Sequence, residues 1–137
     1  MTDIFELLKG KPEDSDYEKK GVIVQGITGS YGSIHAKQMI AYGTNVVAGV
    51  TPGKGGQKFE ETVPIYNSMQ EAVDATNAKI SILFVPAKFF LSAAKAALNS
   101  VIKLLVAIPE HVPIRDTMKA LDLAKQKGAV IIGTNTP

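Results

Sequence analysis

Three glycines, Gly26, Gly29 and Gly32, stand at three-residue intervals in the run GITGSYGS, and a lysine, Lys54, stands among glycines in GVTPGKGG. Glycines spaced in this way let a backbone turn tightly and come close to a phosphate. A helix that starts just beyond meets the phosphate with free amide hydrogens and partial positive charge. Thr28, Ser30 and Ser33 add hydroxyl donors to the same run. The chemistry on offer is the binding of a phosphate-bearing ligand. One exposed contact with a helix end contributes only about 0.3–1 kcal/mol, so several donors must converge.

A glycine run of this kind in a dinucleotide site is followed, about 20 residues on, by an acid that binds ribose hydroxyls. Here Val50 and Thr51 occupy the end of the second apolar run, where that acid belongs, which disfavours NAD. A lysine close by suits a ligand with an extra phosphate on its adenosine, either NADP or coenzyme A. Gly53, Gly55 and Gly56 would let backbone amides close around the same anion. GVTPGKGG is not an ATP-binding loop of the GxxxxGK[ST] type: three residues separate Gly49 from Gly53, and Gly55 follows Lys54 where a Ser or Thr would hold magnesium.

These loops need a scaffold, and the pattern along the chain supplies one. Short apolar runs at Val22–Gln25, Asn45–Val50, Ile80–Pro86, Leu104–Pro109 and Val130–Gly133 read as five strands. Helical patterns alternate with them. One runs from Ser33 to a stop at Gly43, and one follows Ser68, with Glu71 three residues on as in a capping box. Two more cover Phe89–Ser100 and Ile114–Gly128. Alternation of this kind predicts an α/β, Rossmann-like, doubly wound and mainly parallel sheet with helices on both faces. Ligands of such sheets bind beyond the carboxyl ends of the strands, which selects the loops 26–33, 50–57, 85–88, 108–112 and 133–137. Residues 1–20 read as an extension: a short helical turn packing Ile4, Phe5, Leu7 and Leu8, then a polar linker. Residues 21–137 read as one ligand-binding domain.

Composition narrows the function classes. The chain has 137 residues, 45% of them hydrophobic and 20% charged, and a net charge of +2, too small to argue for nucleic acid or a membrane surface. The absence of cysteine removes disulfides, thiolate metal sites and a cysteine nucleophile; no metal site is expected. The N-terminus lacks the apolar run of a signal peptide. His35 reads as a packed or surface histidine, His111 shows no partner constellation that would make it catalytic, and Phe89–Phe90 reads as helix packing.

The segments GITGSYGS, AYGTNVVAGVTPGKGG, VPIYNSMQEAV, VPAKFF and KLLVAIPEHVP, in this order, closely resemble the coenzyme A-binding domain of the succinyl-CoA synthetase alpha subunit, from about Lys20 to the C-terminus. The resemblance implies that Thr28, Gly29, Ser30 and Tyr31 hold the phosphates of coenzyme A, that Lys54 contacts the coenzyme, and that Ile108, Pro109 and Glu110 line the same site. Tyr31 stands where a glutamine or similar polar residue is usual, and AIPEHVP replaces TITEGIP, so that Pro109 has no amide to donate.

The resemblance further implies a ligase reaction: succinate, coenzyme A and a nucleoside triphosphate give succinyl-CoA, a nucleoside diphosphate and phosphate. The phosphoryl group is carried by a histidine on a second domain, absent from this sequence, and a beta subunit binds the nucleotide. No catalytic residue is then expected in these 137 residues; their share is to bind and aim the thiol. The stop within a family motif favours a piece of a longer alpha subunit, working in a cytoplasm or a mitochondrial matrix. Two alternatives stand beside this one. The first is an NADP-binding reductase domain, though no tyrosine–lysine pair has the usual catalytic spacing. The second is a stand-alone coenzyme A-binding regulatory module.

Overall fold

The computed structural model describes residues 21–108 and 111–133. The helical turn and linker expected before Gly21, and Pro109 and Glu110, lie outside the described residues, as does the side chain of Tyr31.

The chain order is β1 (Gly21–Gln25), α1 (Ser30–Tyr42), β2 (Asn45–Val50), β3 (Lys58–Phe59), β4 (Val63–Tyr66), α2 (Met69–Thr76), β5 (Ile80–Leu83), a 3-10 turn (Ala87–Phe89), α3 (Phe90–Leu98), β6 (Leu104–Ala107), α4 (Ile114–Lys127) and β7 (Val130–Gly133). The strands form one sheet in the order β3-β4-β2-β1-β5-β6-β7. All pairings are parallel except β3 with β4. The chain leaves β1 toward β2 and β4, then returns across it to β5. The switch point therefore lies between β1 and β5, where parallel doubly wound sheets open a crevice.

The five strands expected from apolar runs are all present, because a strand covered on both faces reads as a continuous apolar stretch. In β1, Val22 and Val24 pack on the α1 side with Ala36 and Met39, while Ile23 packs on the other side, in the layer that holds α2, α3 and α4. Among the described residues, helices thus cover both faces, one against three. Strands β3 and β4 are additions to the expected set. A two-residue strand has no pattern to read, and Val63–Tyr66 is not among the five apolar runs. Pro64 is accommodated because β4 pairs with β2 only at Ile65 and Tyr66, beyond it.

Helix ends follow the expected chemistry. Gly43 closes α1 in the left-handed conformation, at φ 108°, with its amide donated to Met39 and Ile40. Gly128 closes α4 in the same way. Helix α1 differs from its expected range by beginning at Ser30, three residues before Ser33. Gly32 allows this: a Cβ there would lie 2.2 Å from the carbonyl oxygen of Gly26, so only glycine lets the first turn press against the loop.

Candidate functional site

A cavity of about 580 Å³ opens at the switch point. Loops at the carboxyl ends of four strands build it: Gly26, Thr28 and Gly29 after β1, Thr51 and Pro52 after β2, Asn67 and Ser68 after β4, and Phe84 to Pro86 after β5. Helix α3 closes the far side with Ser92, Ala93 and Ala96. Most of the wall is apolar, with Val50, Met69, Val85 and Phe89 contributing; polar groups gather at the rim.

The glycine loop is held from beneath. Ile27 is fully buried, and Gly49 makes room for it, since a Cβ at 49 would lie 2.4 Å from Ile27 Cγ2. The Gly26 amide donates to the Val50 carbonyl at 2.9 Å and the Gly29 amide to the Gly26 carbonyl at 3.1 Å. Across the rim, the Thr28 hydroxyl donates to Thr51 Oγ1 at 3.1 Å, joining the first and second loops.

Gly29 is the N-cap of α1. It makes no side-chain cap hydrogen bond, and the first turn carries no acid. Its φ of −67° is ordinary for any residue, and a Cβ there would meet only the Gly26 carbonyl oxygen, at 3.4 Å. Folding does not require glycine at 29. The amides of a first helical turn lack intrahelical partners, so this end of α1 faces the rim with open donors.

Gln25, which lines the cavity, has both polar atoms of its side chain hydrogen-bonded. Gln25 and Ser81 are buried; the Ser81 hydroxyl donates to Gln25 Oε1 at 2.8 Å, and Gln25 Nε2 donates to the Ala93 carbonyl at 3.2 Å. This chain ties β5 to β1 and β1 to α3. Removing one member would leave a buried polar atom unpaired, at a cost of about 1–3 kcal/mol.

Of the residues expected to bind ligand, Thr28 and Gly29 line the cavity, and Ser30 and Tyr31 open α1 directly behind them. Lys54 is exposed, in the loop between β2 and β3 just past the lining residue Pro52. Ile108 lies elsewhere. It lines a second cavity of about 480 Å³ with His35, Gln38 and Tyr42 of α1 and Phe84, on the α1 side of the sheet. His35 stacks on Phe84, ring centroids 5.2 Å apart at 7°, a packing contact. The aromatic pair divides its work: Phe90 is fully buried, whereas Phe89 is half exposed and lines the first cavity. Asn67 and Gln25 are site residues that spacing did not reveal.

Among the described residues there is no cluster of three or more His, Asp or Glu side chains able to hold a metal ion. No described helix is long and apolar enough to cross a membrane.

Comparison with known proteins finds matches of three kinds. A family model described as the CoA binding domain matches residues 17–111. The alpha subunit of the ADP-forming succinate–CoA ligase of Methanothermobacter thermautotrophicus is 48% identical over 115 residues, covering 84% of this chain and 39% of that protein. Its counterpart in Aquifex aeolicus is 49% identical over 118 residues, covering 85% and 38%. The chain therefore spans about two fifths of the length of the curated relatives it matches. Among solved structures, ATP citrate lyase from Methanothrix soehngenii in complex with citrate and coenzyme A superposes with a TM-score of 0.65 at 19% identity, over 83% of this chain and 20% of that one. Myo-inositol 2-dehydrogenase from Lactobacillus plantarum gives 0.64 at 14% identity, over 85% and 36%. At such identities these two structures share the fold alone.

Proposed function

Since this chain belongs to the CoA binding domain family, we propose that it binds coenzyme A at the switch-point cavity as part of an alpha subunit of a nucleoside-diphosphate-forming succinate–CoA ligase. What carries the reading is the rim: a helix start with no cap of its own, behind a glycine that folding does not require, beside a lysine loop. The first-turn amides of α1 with Thr28, Gly29, Ser30 and the backbone of Tyr31 receive the diphosphate. The apolar wall below takes the flat base or another uncharged part of the ligand. Lys54 meets the additional phosphate on the ribose. The resemblance adds Ile108, Pro109 and Glu110 after β6; Ile108 lines the second cavity, so its part rests on position in the chain.

The curated relatives are ligase alpha subunits that are more than twice as long as this chain. In that setting these residues bind, orient and exclude water, and no bond is made or broken by them. Holding the thiol of coenzyme A in place for a group carried on another domain is a contribution of positioning. The histidine that takes the phosphoryl group and the beta subunit that binds the nucleotide belong to the remainder of the assembly.

The test is calorimetric titration with coenzyme A, dephospho-coenzyme A and NADP. Coenzyme A is expected to bind best. Loss of its 3′-phosphate should weaken binding about tenfold, the order of one charge-assisted contact, and Lys54→Ala should erase that difference. Binding of NADP without coenzyme A would replace this reading with the reductase alternative, which Lys54 and the missing acid also permit.

A further inference from the structure

Lys54 is an exposed side chain in a loop with three glycines, and a lysine free to wander meets a phosphate weakly. One side chain bonds the backbone on both sides of Lys54. Asn67, directly after β4, accepts two hydrogen bonds at Oδ1, from the amides of Gly53 and Gly55, each at 2.9 Å. The two donors flank Lys54. Because both partners are backbone N–H groups, the side-chain oxygen must be the atom that faces them. The rest of the loop is closed by backbone bonds: Lys54 N–H to the Thr51 carbonyl at 3.0 Å, Gln57 N–H to the Lys54 carbonyl at 3.2 Å, and Gly56 N–H to the Ile65 carbonyl of β4 at 3.0 Å.

The glycines of the loop serve two different needs. Gly53 and Gly56 have φ of +86° and +92° with open space where a Cβ would lie; they are glycines for their backbone angles. Gly55 has no such angle. A Cβ there would lie 2.5 Å from Asn67 Nδ2 and 2.9 Å from Oδ1. Gly55 is a glycine because the Asn67 amide occupies the space.

We propose that Asn67 is the positioning residue for Lys54, pinning the backbone on both sides of it so that the ammonium stands ready for the ribose phosphate of coenzyme A. This rests on the coenzyme A reading above. Asn67 acts through the loop, by lowering the number of conformations Lys54 must give up on binding. It therefore governs the preference for coenzyme A over dephospho-coenzyme A, beyond whatever it adds to the affinity that both ligands share.

The experiment is a double-mutant cycle read as that preference, using the full chain: wild type, Asn67→Ala, Gly55→Ala and the double variant. Asn67→Ala should cut the preference from about tenfold to near one, as loss of one charged contact does. Gly55→Ala should do the same, because its methyl group expels the amide. The double variant should be no worse than either single, since the methyl then fills vacated space. Asn67→Asp, which keeps the acceptor oxygen, should leave the Gly53 and Gly55 amide resonances at their hydrogen-bonded positions, whereas Asn67→Ala should move both. A wild-type preference that survives Asn67→Ala, or additive losses in the double variant, would overturn the proposal. If wild type shows no preference between the two ligands, the coenzyme A reading itself fails and takes this inference with it.

Discussion

Helices α1 and α2 both start at the carboxyl edge of the sheet, on the rim of one cavity, and the chain finishes their first turns in opposite ways. At α2, Ser68 Oγ accepts the Glu71 amide at 3.2 Å, and Glu71 places an acid in the first turn. The sequence there answers its own helix dipole. At α1 the cap is Gly29, no side chain bonds to the turn, and no acid lies in it. A bare helix end costs stability unless something satisfies it. The difference marks which end the chain keeps for itself and which it leaves to a ligand.

The strongest way to break the comparison is to push α1 off the glycine loop. Gly32→Ala would place a methyl group 2.2 Å from the Gly26 carbonyl oxygen, in backbone that cannot yield cheaply. A loss of about 3 kcal/mol in unfolding free energy is expected, as for overpacked core positions, read as a lower denaturation midpoint together with loss of coenzyme A binding.

Next in size is an exchange of roles. Gly29→Asp gives α1 the cap that α2 already has, at a φ of −67° and ψ of 157° that suit one. Thermal unfolding should show a gain of about 0.5–1 kcal/mol from the cap and from the glycine replaced. Calorimetry should show coenzyme A affinity reduced tenfold or more, because a carboxylate then occupies the anion site. The smallest effect sharpens the contrast from the other side: Ser68→Ala removes a real cap and should cost about 1 kcal/mol of stability, with the preference between coenzyme A and dephospho-coenzyme A unchanged.

Much of this contrast was legible in the sequence. The Ser68–Glu71 spacing announces the cap of α2, and GITGSYGS between an apolar run and a helix announces the loop. What could not be read is how the three glycines divide their work. Gly26 and Gly32 serve close approach of backbone to backbone, while Gly29 serves neither packing nor an unusual angle. That distinction exists only once the loop meets β5 and α1. Asn67 was hidden for the same reason: an asparagine after a strand reads as a loop residue, and its partners lie 14 and 12 residues earlier. Phe89 and Phe90 read alike as packing, yet neighbours on a helix point about 100° apart, so only Phe90 reaches the core. The strand at Val63–Tyr66 is short and interrupted by Pro64, which faces Lys58 of β3 while β2 pairs only with Ile65 and Tyr66.

The most direct measurement is the shift of backbone amide resonances during titration with coenzyme A. The account predicts the largest movements at Thr28 to Gly32, smaller ones at Gly53 to Gly56, and an amide of Glu71 that stays bonded to Ser68. Saturation with coenzyme A that leaves the first turn of α1 unmoved, or that moves only His35, Gln38 and Ile108 around the second cavity, would contradict it.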